Sequence, residues 1–416
     1  MTTASPFEMT DPDEVGLDPD RLARIPQFFQ SYLDQKRLPM VATLVARDGK
    51  VAHLSHAGGM SMEEGAAPIA EDAIYRVYSM TKPVTSAAIM MLYEEGKLQL
   101  SDPVARFIPA FGDMQVMTGG TADAPEVTAA KRLITVHDLL THTSGLTYSF
   151  LYQLPTDEIY RKKKLDPFAY KGDLASFAEE IASAPLVFSP KDGWNYSVST
   201  DILGRIVEVV SGMKLSAFFE ERIFKPLGMV DTGFYVPEEK LSRLPTCYRR
   251  DIVRKETVLA DPGGDQTLFF GKPPSLEGGG GGLVSTIADY YRFCCMLANG
   301  GQGNGHLILS PKTVEFMTEN HLPGGKTIAE MGDKTFSEAR MDGAGFGLGF
   351  SVTTDPVAGQ QVSSVGSFSW GGLASTFFWI DPMEDLIVIQ MTQCMPSSVY
   401  PIRPQLQQLV YASIAA

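Results

Sequence analysis

The stretch Ala73-Ile74-Tyr75-Arg76-Val77-Tyr78-Ser79-Met80-Thr81-Lys82-Pro83-Val84 decides how the rest of the chain is read. Ala73 to Val77 is an apolar, strand-like run. From about Ser79 to Glu95 the spacing predicts a helix ended by Gly96, with a core stripe of Val84, Ala87, Ala88, Met91 and Leu92. In such a helix Ser79 and Lys82 share a face, within side-chain reach. Serine is a weak nucleophile until a neighbouring base takes its proton. Lysine is that base only where burial and positive neighbours lower its pKa. Alone, Ser-x-x-Lys is a frequent chance match. The strand–turn–helix setting raises its weight, because it puts the serine where backbone donors are free to face an anion.

Two further stretches carry candidate chemistry. Tyr196 sits in Gly193-Trp194-Asn195-Tyr196-Ser197, just before a predicted helix from Ser199 to Ser211. A phenol there suits a proton relay, and a packed aromatic with a satisfied hydroxyl is the alternative. In Ser369-Trp370-Gly371-Gly372-Leu373, paired glycines on an edge strand suit an amide aimed at a developing oxyanion, or equally a bulge. Tyr148, Phe150 and Tyr152 follow a Thr-Ser-Gly-Leu turn and line an acyl or alcohol pocket or simply fill core.

Other chemistries fit poorly. His137 and His142 are five apart, no HExxH is present, and no Cys/His metal spacing appears, so neither a metal nor a cofactor is expected. There is no Gly-x-Ser-x-Gly elbow. The run Gly278 to Gly282 lacks a following Gly-Lys-Ser/Thr and is read as backbone passing close to a helix start. Cys247, Cys294, Cys295 and Cys394 read as reduced structural thiols.

Around these motifs, a helix is predicted from Pro19 to about Leu38, and strands from Met40 to Ala46 and Val51 to Ser55 around Asp48-Gly49. Ser285 to Asn299 reads as a helix opened by a Thr286-x-x-Asp289 capping box. Phe346 to Thr353, Ser367 to Trp379 and Asp385 to Met391 read as strands, and Pro401 to Ala416 as a closing helix. Strands thus lie near both ends and helices in the middle. The expected architecture is an α+β (α/β) domain of residues 1–108 and 275–416, an antiparallel sheet flanked by helices, with a mainly helical domain, 109–274, inserted.

With 416 residues, 44% of them hydrophobic, the chain has ample material for a core. Its 49 acidic against 35 basic residues give a net charge of −14. That repels phosphate backbones and anionic membrane faces, so neither nucleic acid nor membrane is expected as a partner. Met1 to Val15 is polar and acidic with no secretory pattern, and no apolar run reaches membrane-spanning length, so a cytoplasmic protein is expected.

Taken together, Tyr78-Ser79-Met80-Thr81-Lys82, Leu139 to Leu146, Trp194-Asn195-Tyr196-Ser197, Pro226-Leu227-Gly228-Met229, Gly279 to Thr286 and Phe346-Gly347-Leu348-Gly349 resemble the family VIII carboxylesterases, relatives of class C β-lactamases in the serine β-lactamase-like superfamily. The resemblance runs from about Leu38 to Gln393. It implies a β-lactamase-like fold, Ser79 as the acylated nucleophile, Lys82 as its base partner and Tyr196 as proton relay. Trp370-Gly371-Gly372 takes the place of the lactamases' Lys-Thr-Gly strand, and the oxyanion donors would be the N–H groups of Ser79 and Leu373. Val198 and Trp370 stand where lactamases carry polar groups that hold a β-lactam. Hydrolysis of a small-molecule carboxylic ester, with short acyl chains, is therefore the first expectation, and cleavage of some cephalosporins a secondary one. Acyl transfer to an alcohol and a silent binding protein on this fold are the rivals.

Overall fold

The computed structural model describes residues 7–251, 253–332 and 336–415. The reading of Met1 to Val15 and the last residue of the closing helix fall partly outside them.

Asp48 and Gly49 both take positive φ, 52° and 74°, the backbone of a tight two-residue hairpin turn. Met40–Arg47 (β1) and Lys50–Gly58 (β2) accordingly pair antiparallel, Leu44 opposite Leu54. The other strands come from the far end of the chain: Ala344–Phe346 (β3), Ser351–Thr353 (β4), Phe368–Gly371 (β5), Phe377–Asp381 (β6) and Leu386–Met391 (β7). β7 pairs antiparallel with β1, Ala42 opposite Met391, and the sheet order is β3-β4-β5-β6-β7-β1-β2.

Side chains alternate across a strand, and both faces of this sheet are covered. Met40, Ala42 and Leu44 of β1, Phe378 and Ile380 of β6 and Ile389 of β7 face one apolar cluster. On that side lie Thr81–Glu94 (α2), Ser199–Ser211 (α3) and Ile287–Ala298 (α4). Val41, Val45, Trp379 and Val388 face the other, with Arg24–Asp34 (α1) and Ile402–Tyr411 (α5).

Several elements differ from expectation. The first helix breaks at Ala23, between Pro19–Leu22 and α1, because Pro26 has no N–H for the Leu22 carbonyl. Phe346 to Thr353 and Ser367 to Trp379 are not single strands but hairpins. Their turns hold buried side chains, Leu348 and Phe350 in one and Ala374 in the other, so the apolar pattern runs on through them. Thr286 caps α4, yet Asp289 completes no capping box; its carboxylate is taken by Asp231 N–H, the Thr232 hydroxyl and Arg292. Residues 109–274 carry their helices together with two hairpins, Gln115–Gly120 with Pro125–Ala129 and Cys247–Asp251 with Glu256–Asp261. One apolar cluster runs through both segments, joining Leu139 and Ile202 to Leu44 and Phe378.

Candidate active site

Tyr78 has a φ of 43°, a strained value for a bulky residue. The Tyr78–Met80 segment then forms a tight turn, so α2 starts at Thr81 rather than Ser79. The strain is held by packing: Val77 N–H bonds Leu283 O and the Tyr78 ring packs edge-on against Phe168 and Phe270. The result presents Ser79 beside the first turn of a helix buried on every side from Thr81 to Leu92, not only along the stripe expected.

Lys82 follows one turn on, with 1% of its surface exposed. Its Nζ donates to Gly280 O at 2.6 Å, to Tyr148 Oη at 2.9 Å and, weakly, to Ser79 Oγ at 3.4 Å. Burial pushes its pKa down to about 8, against the opposing pull of Asp201 and Glu338. Tyr196 Oη donates to Ser79 Oγ at 2.6 Å, and its ring centre lies 4.6 Å from Lys82 Nζ. Tyr196 is fixed by its neighbours: Asn195 Nδ2 bonds Leu146 O, and His142, Trp194 and Trp370 pack against the ring. Burial drives the Tyr196 phenol well above its ordinary range, so it rests protonated.

The glycine run passes close to two helices. A Cβ on Gly279 would lie 2.8 Å from Thr200 O of α3 and 3.3 Å from Thr85 of α2. This approach delivers the Gly280 carbonyl to Lys82. Its N–H bonds Asp201 Oδ1 at 2.9 Å. Asp201 is fully buried and its pKa is raised to about 6, mainly by burial, against the attraction of Lys82.

Leu373 sits in the turn after β5 and lines the cleft with Ser79, Tyr148, Phe150, Phe168, Gly280 and Glu338. Among the described residues its N–H donates to no protein acceptor. β5 lies inside the sheet rather than at its edge. β4 pairs with it only at Phe368 and Ser369, however, so Trp370 and Gly371 have no strand partner on that side. Gly372 is bonded back to Thr376 O, and a Cβ there would lie 2.2 Å from Val77 O, which presses this turn against the serine's own strand. The cleft is narrow, a cavity of about 20 Å³, room for roughly one water.

The sequence-derived site residues thus separate into groups. Ser79, Lys82 and Tyr196 converge. Leu373, Tyr148 and Phe150 line the cleft, with Tyr148 also a hydrogen-bond partner of Lys82. Trp370 packs on Tyr196, its ring 5.6 Å away, and Gly371 and Gly372 form the wall behind Leu373. Val198 is buried immediately ahead of α3 and does not line that cavity. Tyr152 corrects the pocket reading: it is 73% exposed, has a φ of 55° and lies against the Arg161 guanidinium at the surface. Asp201, Glu338 and the Gly280 carbonyl were missed. The available signals were an acid in a helical first turn and a glycine run, and neither names the other.

Comparison with known proteins bears on the fold and the family. A family model described as Beta-lactamase matches residues 25–412. The chain belongs to the beta-lactamase family. Within it the chain is of the family VIII esterase branch: it is 30% identical to esterase EstB of Burkholderia gladioli over 99% of this chain and 100% of that one. It is also 30% identical to a lovastatin esterase of Penicillium rubens, over 78% of this chain and 80% of that one. Among solved structures, EstCE1, described as a hydrolase with promiscuous acyltransferase activity, superposes with a TM-score of 0.79 at 25% identity, over 94% and 99% of the two chains. This beta-lactamase-family chain has no helix among its described residues long and apolar enough to cross a membrane. Nor do those residues hold a cluster of His, Cys, Asp or Glu arranged for a metal ion.

Proposed function

We propose that this protein is a serine carboxylesterase acting through an acylated Ser79. The observation that carries the reading is the meeting of three groups from distant stretches: the Ser79 hydroxyl, 2.6 Å from the Tyr196 phenol and 3.4 Å from the Lys82 amine. Lys82 is the base, since its lowered pKa leaves a useful fraction neutral near pH 8, whereas the Tyr196 phenol holds its proton.

Ser79 Oγ bonds to the ester carbonyl carbon as its proton passes to Lys82. The resulting oxyanion is held by the N–H groups of Ser79 and Leu373, and losing one such donor costs about 10²–10³ in rate. As the C–O bond breaks, the alkoxide takes a proton from Tyr196, which Lys82 reprotonates. Water attacks the acyl-serine by the same route, releasing the acid and free Ser79. The protein's substrates in this reading are esters with short acyl chains. Trp370, in the place of a cation, supports esters over anionic β-lactams.

Replacing Ser79 by Ala leaves no measurable turnover of p-nitrophenyl butyrate; retained turnover contradicts the assignment. A second reading, acyl transfer to an alcohol, is favoured by the apolar side chains of Phe150, Phe168 and Leu373 beside Ser79, which suit the alkyl part of an alcohol. Its mark is a new ester formed when an alcohol competes with water.

A further inference from the structure

The peptide joining Gly372 to Leu373 carries two groups at once. Because it is planar and trans, the Gly372 C=O and the Leu373 N–H point in opposite directions. The N–H faces the cleft in the proposed mechanism; the C=O faces away, and something charged meets it there. Arg403, in the first turn of α5, donates through one guanidinium nitrogen to Gly372 O and Thr376 O, each at 2.9 Å. Thr376 O is also the acceptor of Gly372 N–H, so Arg403 staples both ends of the turn that contains Leu373.

Arg403 is itself seated. It bonds Glu338 Oε2 at 2.9 Å and the Glu338 carbonyl at 2.5 Å, and the Glu338 side chain is 1% exposed. Glu338 also lines the cleft over Ser79. The guanidinium lies so close behind β5 that a Cβ on Gly371 would be 2.4 Å from it, which explains a glycine at that position. This arginine reaches the site from the helix on the opposite face of the sheet, where the acyl-transfer chemistry has no other use for it.

We propose that Arg403 is a positioning residue for acyl transfer: its guanidinium, seated by Glu338, orients and polarises the Gly372–Leu373 peptide so that the Leu373 N–H serves the oxyanion. Hydrogen bonding at the carbonyl end of a peptide strengthens donation from its N–H. One guanidinium nitrogen meets Gly372 O, Thr376 O and Glu338 Oε2 while the second holds the Glu338 carbonyl, so a shorter lysine with a single nitrogen gives up that seating bond. The inference rests on the acyl-transfer reading of Ser79.

The test compares the full-length protein with Arg403→Met and Arg403→Lys, each normalised to the active sites titrated to completion by a fluorophosphonate. With p-nitrophenyl butyrate, Arg403→Met loses about 10–100-fold in kcat per site with KM changed less than about 3-fold, a part of the cost of losing a donor outright. Affinity for butylboronic acid, which adds to serine as a tetrahedral anion, falls by the same factor, and Arg403→Lys recovers part of both. A structural role alone lowers the titre and leaves these per-site values unchanged, which overturns the proposal. So does a fall in kcat with no loss of boronate affinity. If Arg403→Met yields no folded protein, Arg403→Lys decides: unaltered kcat and boronate affinity overturn the assignment. Failure of the unaltered protein to take phosphonate on Ser79 instead overturns the acyl-transfer reading itself.

Discussion

Lys82 carries the most information of any single residue. A buried amine with a pKa of about 8 gains neutral form tenfold per pH unit below that value. kcat/KM for an uncharged ester therefore rises through pH 6–8 and levels above; a flat profile over that range contradicts Lys82 as the base. The same shift is a statement about stability. Between about 8 and its ordinary 10.5 the unfolded chain keeps a proton that folded Lys82 has lost, so this group's contribution to stability rises with pH across that window. The stability of the protein relative to its Lys82→Met variant therefore increases from pH 8 to 10.5; a difference that stays constant in denaturant titrations counts against the buried, depressed amine. Ser79, Lys82 and Tyr196 were legible because each stands in a local pattern at a helix start. Asp201 and Glu338 were not, because each acts across space on a group far away in sequence, Asp201 through the Gly280 N–H and Glu338 through Arg403.

At the scale of elements, the glycine run is the sharpest case. A Cβ on Gly280 would lie 2.6 Å from Asp201 Oδ2 and 3.0 Å from Tyr148 Oη, so Gly280→Ala displaces the carbonyl that fixes Lys82. Misplacement by an ångström costs on the order of 10²-fold in rate, and kcat for p-nitrophenyl butyrate is expected to fall accordingly. Gly212, which ends α3 with a φ of 72°, has nothing within 4 Å of such a Cβ. Gly212→Ala strains the backbone by about 1 kcal/mol, lowers the melting temperature and leaves kcat unchanged. Equal kinetic effects of the two substitutions contradict this account. The β1–β2 hairpin and α3 were readable from turn chemistry and helical spacing. The Pro125–Ala129 strand was not, since every residue in it is exposed and no alternation marks it.

Over the whole molecule, a sheet built from both ends meets the segment between them along a shared apolar cluster and at a buried ion pair. Arg76, fully buried in the strand that leads to Ser79, bonds Asp261 through Nε at 2.7 Å, along with Pro245 O and Gln393. Removing one partner of such a pair leaves an uncompensated charge, so Asp261→Ala costs about 3–5 kcal/mol in denaturant unfolding. A loss below about 1 kcal/mol shows that the pair does not hold the two parts together. The sequence announced the sheet and its helical neighbours through apolar patterning, but a single buried arginine carries no periodic mark.

The central claim is that the acyl group passes through Ser79. Rapid quenching of the protein during turnover of p-nitrophenyl butyrate, followed by peptide mapping in a mass spectrometer, tests it most directly. One butyryl group on the peptide containing Ser79, absent from the Ser79→Ala variant, is the predicted result. Turnover with no acylated peptide, or with the butyryl group on another residue, would contradict it.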